Sequence, residues 1–344
     1  MSVGRRQLAL LCAGGAVAAI VGASCGSSPR AGTLPDRTIH VAVAAPAHGS
    51  GSASHPFATI QQALAVARPG DTVRVAAGNY TQRVSTVRSG EPGAPITIAG
   101  ARGARLTGNG SGHQVEIRSN YITLRGFTIG EAEKLVWIEG AHHVLVEDDV
   151  LENAGGECIR VKYLSTDVTI AHDTIDHCGL TGFDLAKNEH NGEGVYIGTD
   201  PYQLGRNPTS APDASDHNSV VDNTIATYAA ECVDIKEAAD HNRVVGNDCS
   251  HSRDPKGSGF DARGNDNLFR NNVSAANAGA GIRFGGYGAT DGTHNTAIGN
   301  VLVDNEGYGF LVLRQPQDRV CGNVVLQSRL GVSSVPGVKP TVAC

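Results

Sequence analysis

One short pattern recurs along most of the chain: an apolar residue, one or two further residues, Asn or Asp, one residue, then Ile, Val or Leu. It reads "YITLRGFTI", "HVLVEDDVL", "DVTIAHDTI", "NSVVDNTI", "NRVVGNDC", "NLFRNNV", "NTAIGNV" and "DRVCGNVV". The copies end at Ile129, Leu151, Ile175, Ile225, Cys249, Val273, Val301 and Val325, so successive gaps are 22, 24, 50, 24, 24, 28 and 24 residues. A period near 24 with short strands and Asn-rich turns describes a solenoid, because no single coil can bury its own apolar face and each must stack on its neighbours. The gap of 50 is one coil with a long insertion or two coils with a degraded repeat. "AKNEHNGEGVYIGTDPYQLGRNPTSAPDASDHN" lies inside it.

Composition agrees with many short strands and tight turns rather than a helical bundle: 344 residues, 44 of them Gly, 5% aromatic and 18% charged. The formal net charge of −6 excludes general attraction to nucleic acid or to anionic membranes. The first residues, "MSVGRRQLALLCAGGAVAAIVGASCGSSPRAGTLPD", read as an export signal over 1–24 and a flexible tether over 25–37, with the folded domain over 38–344. Arg5 and Arg6 resemble the start of a twin-arginine signal. "GASC" resembles a bacterial lipoprotein cleavage site, although Gly22 stands where a branched apolar residue is usual. That resemblance implies lipidation of Cys25, the sole membrane attachment expected, with free secretion as the alternative. The expected location is outside the cell or on the outer face of the bacterial membrane, and the expected state is monomeric.

An exported chain meets an oxidising compartment. Cys158, Cys178, Cys232, Cys249, Cys321 and Cys344 are then disulfide candidates; six cysteines allow 15 pairings, and sequential pairing joins residues about one repeat apart. No C-x-x-C favours zinc.

After each repeat comes a second strand: "CIRVK", "GVYIG", "CVDIK", "GFDAR", "GIRFG" and "GFLVL". Alternation sends Ile159, Val195, Val233, Phe260, Ile282 and Phe310 inward, followed by Val161, Ile197, Ile235, Ala262, Phe284 and Val312. Arg160, Tyr196, Asp234, Asp261 and Arg283 then share one outward column, and Lys162, Gly198, Lys236, Arg263 and Gly285 the next. Lys236 and Arg263 are expected side by side, with Asp234 beside Asp261. Glu157, Glu193 and Glu231 form a file of acids just before the strands. Like charges in register destabilise a sheet. The plain alternative is a lattice of exposed ion pairs worth about 0–1 kcal/mol each. Arg160, Lys162, Arg283 and the Tyr196 ring form a basic stripe with a stacking ring, a face suited to an acidic polysaccharide.

"HPFATIQQALAVARPGDTVRVAAGNY" resembles the opening of pectate-lyase-like β-helix proteins, its short helix (Ile60, Ala63, Leu64, Ala67) capping the first coil. That resemblance implies an all-β, right-handed parallel β-helix. The stretch from Glu231 through Lys236 to "FDARGN" is similar to the chondroitinase B and alginate lyase family, in which a Glu precedes the catalytic Lys by five residues and an Arg follows on the next coil. The similarity implies a polysaccharide lyase acting on a uronic-acid polymer by β-elimination. Lys236 is then the base, Arg263 the acid or electrostatic partner and Glu231 a calcium ligand. Arg160, Lys162, Tyr196, Arg283, Asp234 and Asp261 are candidate substrate contacts; Glu193 and Glu237 are further candidate Ca²⁺ ligands, since calcium takes oxygen donors. The family's second Glu is Ala229 here, and its "RHG"-type sequence is "RGN". As base, Lys236 needs a proton affinity lowered by burial and by Arg263. The alternatives are a non-catalytic glycan-binding or structural surface protein and a uronan epimerase, although no Asp-Pro-His-Asp occurs. Asp148 and Asp149 are expected in a structural turn position, and His142, His143 and His251 in solvated turns. His190 and Asn191 open the insertion as possible substrate contacts.

Overall fold

The computed structural model describes residues 37–344; the export signal, the tether up to Asp36 and Cys25 lie outside the described residues. Three parallel sheets of 11, 10 and 10 strands run the length of the domain. Each full coil contributes one strand to each sheet, as in Ser219–Val221, Thr224–Ala226 and Val233–Ile235. This is the solenoid that the period predicts, in the form of the right-handed parallel β-helix that the resemblance of the opening segment implies. The helix Ile60–Val66 starts from a capping box between Thr59 and Gln62, and its Ile60, Ala63 and Leu64 are buried.

The inward columns are apolar as read: Val233, Phe260, Ile282, Val161, Ile235 and Phe284 have no exposed surface. Phe260, Phe269, Phe284 and Phe310 form a continuous aromatic run, with neighbouring centroids 5.9–6.3 Å apart. Between the first two strands of successive coils, side-chain carbonyls accept the backbone N–H of the coil before. Asp149 accepts from Phe127, Asp173 from Asp149, Asn223 from Asp173, and Asn247, Asn272, Asn300 and Asn323 continue the ladder. Asp149 is therefore structural, as expected.

The ladder also corrects the repeat register. Cys249 pairs with Ser274 rather than Val273, and Ser274 with Leu302 rather than Val301. The buried position falls two residues after each ladder Asn, whatever its polarity. Ser274 is tolerated there because its hydroxyl donates to the Gly281 carbonyl at 2.9 Å.

The gap of 50 is one coil. Thr174–Asp176 pairs directly with Thr224–Ala226, and the extra chain leaves on both sides of Val195–Ile197. Before that strand is the hairpin Phe183–Asp184 with Glu189–His190; after it comes a loop carrying the 3-10 turn Pro201–Arg206. The disulfides are sequential: Cys158–Cys178, Cys232–Cys249 and Cys321–Cys344. Three such bonds place the folded chain in an oxidising compartment. Among the described residues, no helix is long and apolar enough to cross a membrane.

Candidate active site

The third sheet brings the outward residues together in the order read from the sequence. Arg160 pairs in register with Tyr196, Tyr196 with Asp234, Asp234 with Asp261, and Asp261 with Arg283. Two residues further on, the Lys236 N–H donates to the Ile197 carbonyl and the Arg263 N–H to the Ile235 carbonyl, at 2.9 and 2.8 Å. Lys236 and Arg263 are thus neighbours on adjacent coils.

Charge alternates through this array. Lys236 Nζ lies 2.6 Å from Asp234 Oδ2, Arg263 Nε lies 3.8 Å from Asp234 Oδ1 and 3.1 Å from Asp261 Oδ2, and Arg283 Nη1 lies 3.1 Å from Asp261 Oδ2. The lattice exists, but it is not on the open surface that the plain alternative assumes. Asp234 and Asp261 have no exposed surface and Lys236 is 5% exposed, because the insertion and the 285–292 loop cover an outward-facing strand. Asp200 accepts from the Tyr287 hydroxyl at 3.1 Å, and Tyr202 packs edge-on against Tyr287 at 5.1 Å. On the other side, His190 Nδ1 bonds Asp254 Oδ2 at 2.7 Å. These walls enclose a recess of about 360 Å³ whose lining includes Glu193, Tyr196, Glu231, Asp234, Lys236 and Arg263.

Electrostatics differ from the requirement stated for a free base. Burial is the largest influence on Lys236 and lowers its proton affinity, but Asp234, Tyr196 and Glu193 together outweigh burial and Arg263 and raise it. Arg263 is likewise held charged against burial by Asp234 and Asp261. Burial pushes Asp234 up, yet Lys236 and Arg263 hold its carboxyl below the usual range. For Glu193 and Glu231 the nearby cations, Lys236 and Arg263 respectively, do not offset burial. Burial first, then Glu157, pushes Glu193 up to about 7; burial, then Asp234 and Asp261, pushes Glu231 up to about 8. Oxygens of Glu193, Glu231 and Asp234 lie within 4.8 Å of one another. Asp234 Oδ1 is buried with no hydrogen-bond partner among the described residues, Arg263 Nε being 3.8 Å away, whereas Oδ2 is held by Lys236.

Three expected roles change. Glu237 is not in the acidic triad: its Oε1 accepts the Tyr287 N–H at 3.2 Å and so anchors the covering loop. Tyr196 is no stacking platform, being 3% exposed, with the Arg160 guanidinium 3.4 Å above its ring and Lys236 Nζ at 4.6 Å. The basic stripe is mostly neutralised, since Arg160 bonds Glu157 at 3.2 Å and Arg283 bonds Asp261. Asp254, Asp200 and Tyr287 were missed because they lie outside the periodic strands. Asp254 pairs with His190, 64 residues away, and His251 stacks on Tyr228 at 4.9 Å. A pairing at that separation has no local signature.

A family model described as "Periplasmic copper-binding protein (NosD)" matches residues 193–337, and one described as "Protein of unknown function (DUF1565)" matches 45–115. No curated protein matches the chain by sequence. Among solved structures, the alginate lyase from Paenibacillus sp. str. FPU-7 superposes with a TM-score of 0.69 at 23% identity, covering 86% of this chain and 99% of that one. Pectate lyase Pel9A gives 0.59 at 14%, covering 91% and 82%. The Azotobacter vinelandii mannuronan C-5 epimerase A-module gives 0.51 at 13%, covering 80% and 74%. At these identities the likeness establishes the fold, the right-handed parallel β-helix shared with pectate and alginate lyases.

Proposed function

We propose that the chain is an exported polysaccharide lyase that cleaves a uronic-acid-containing polymer by β-elimination at Lys236 and Arg263. The observation that carries this reading is the buried lattice itself. Buried ion pairs contribute little net stability compared with apolar packing, so the fold gains little from placing two cations and two carboxylates beneath a covered recess. A reaction on an acidic sugar uses them. Two structural neighbours bear the names of lyases of alginate and pectate.

Arg263 commits Nε to Asp261, and neither terminal nitrogen donates a hydrogen bond among the described residues. That fork is free to take the uronate carboxylate in two parallel bonds, which acidifies the C5–H. Lys236 removes this proton once Asp234 no longer holds the ammonium. The C5–H electron pair becomes the C4–C5 double bond, the C4–O bond breaks, and the leaving oxygen takes the proton back from Lys236. Arg263, held charged by two carboxylates, is the electrostatic partner rather than the acid.

Glu193, Glu231 and Asp234 fit a hard divalent cation such as Ca²⁺: all donors are oxygens, two of the carboxyls are pushed up by burial and then by neighbouring acids, and Asp234 Oδ1 is buried without a hydrogen-bond partner among the described residues. When bound, that ion neutralises the sugar carboxylate. The triad does not fit copper, which prefers imidazole or sulfur donors. Were Asp234 and Glu193 to hold such an ion, they would raise the proton affinity of Lys236 less, and burial and Arg263 would favour its neutral amine, the ammonium proton passing to solvent through the recess.

A second reading, a glycan binder without catalysis, is favoured by the 2.6 Å contact that keeps Lys236 charged. An epimerase shares the proton abstraction. Incubating the protein with alginate, pectate and glycosaminoglycans, with and without chelator, separates the three. The lyase gives shortened chains that absorb in the ultraviolet through the new double bond. An epimerase changes sugar configuration without shortening the chain, and a binder gives no product. Lipid attachment at Cys25 and a monomeric state complete the proposal.

A further inference from the structure

On the strand face that carries the lattice, Lys162 stands apart. Lys134, Arg160, Lys236, Arg263 and Arg283 each have a carboxylate partner. Lys162 has none within ion-pair reach among the described residues, although it is only 4% exposed. Three acids are close but already committed. Glu139 bonds Arg118 at 2.6 Å, Asp213 accepts the N–H groups of Tyr163 and Leu164 at 2.8 and 2.9 Å, and Glu157 serves Lys134 and Arg160. Burial and Arg160 accordingly pull the Lys162 proton affinity down. What faces the ammonium is the Trp137 ring, 5.0 Å away, itself stacked on His113 at 4.0 Å. The side chain is covered while its ammonium, without a carboxylate partner, opens onto a recess, and this arrangement points to an anion as its ligand.

Position supplies the rest. Lys162 and Trp137 line a recess of about 210 Å³ that shares Asn191 and Gln203 with the main one, so the two recesses adjoin. Lys162, Gly198 and Lys236 occupy the same column on successive coils, since Gly198 N–H donates to the Val161 carbonyl and Lys236 N–H to that of Ile197. Two coil spacings separate the two lysines by about 9.6 Å, roughly the span of a uronan disaccharide. Gly198 puts no side chain between them: its φ of +85° suits glycine, and a Cβ there would meet the Cβ atoms of Ala239 at 3.0 Å and Lys236 at 3.3 Å.

We propose that Lys162 and Trp137 form a second carboxylate-binding subsite, holding a uronic-acid residue two units along the polymer from the sugar at Lys236 and Arg263. This inference rests on the uronan reading of the groove but not on its being catalytic. Trp137 is the single tryptophan of the chain, so its fluorescence reports directly on the subsite. The test titrates Lys236→Ala protein with uronate disaccharides and tetrasaccharides prepared by acid hydrolysis of alginate and pectate.

The expected result is a Trp137 fluorescence change with a tetrasaccharide, bound at least about tenfold more weakly when Lys162→Gln is added, as for loss of one charge-assisted hydrogen bond. Disaccharide binding at the main recess, followed by calorimetry, is expected to stay unchanged. Lys162→Met, which keeps the packing on Trp137, is expected to fold with at least parental stability and to show the same loss. A tetrasaccharide that binds Lys162→Gln as tightly as the parent overturns the inference, as does failure of every tetrasaccharide to bind. A wild-type protein that yields no unsaturated product while its tetrasaccharide binding depends on Lys162 ends the lyase reading and leaves the subsite standing.

Discussion

Asp234 and Asp261 face each other in register on adjacent strands, and the Arg263 guanidinium spans both, with Nε 3.8 Å from one carboxylate and 3.1 Å from the other. Two like charges in direct opposition are unfavourable in a sheet; Arg263, with Lys236 and Arg283 on either side, turns the opposition into a chain of alternating sign. Asp234→Ala removes the shared anion and leaves Lys236 and Arg263 under-compensated. Urea denaturation is expected to show a loss of about 3–5 kcal/mol. Asp234→Leu combined with Lys236→Met is expected to recover most of that loss, because the pair is then replaced by apolar packing.

Calcium is expected to stabilise the folded protein through Glu193, Glu231 and Asp234. At a hundredfold excess over its dissociation constant the gain is about 2.7 kcal/mol, seen as a rise in the thermal midpoint that a chelator reverses. Glu231→Gln is expected to abolish the rise. An equal rise in that variant assigns the ion to another place.

Asp173 predicts a pH dependence far from the recess. Burial pushes its carboxyl up to about 7, so as pH rises the unfolded chain releases this proton first. The folded state binds more protons between about pH 4 and 7, and stability falls with rising pH across that window. Asp173→Asn keeps the carbonyl that accepts the Asp149 N–H and removes the titration. The variant is expected to be more stable than wild type by about 1–3 kcal/mol above pH 7 and to converge with it near pH 4, measured by urea denaturation at each pH.

The Cys232–Cys249 bond joins residues 17 apart and closes a loop that contains the strand carrying Asp234, Cys232 standing directly before that strand. Replacing both cysteines by serine is expected to cost about 2–5 kcal/mol, read as a lower urea midpoint. No change in midpoint would show that the coil is held without the bond.

The periodic parts of this molecule were legible in its sequence and the aperiodic parts were not. The columns through Arg160, Tyr196, Asp234, Asp261 and Arg283 follow from alternation within strands and a repeat that fixes register between them. The slip at Val273 and Val301 shows where apolarity misleads, because the Asn ladder sets the register and buries Ser274 and Leu302 instead. Burial of the lattice was not legible either. It depends on Asp200 meeting Tyr287 and on His190 meeting Asp254, contacts between loops distant in sequence. Glu237 looked like a ligand because it adjoins Lys236, yet its carboxylate turns to the Tyr287 backbone.

The most direct measurement is the ultraviolet absorbance of digests of alginate and pectate by wild type and by Lys236→Ala, at matched concentration and with calcium present. The account predicts unsaturated products from wild type on at least one of these polymers, and none from Lys236→Ala protein that remains folded and still binds the polymer. Equal product from the two proteins, or unsaturated product from neither, would contradict it.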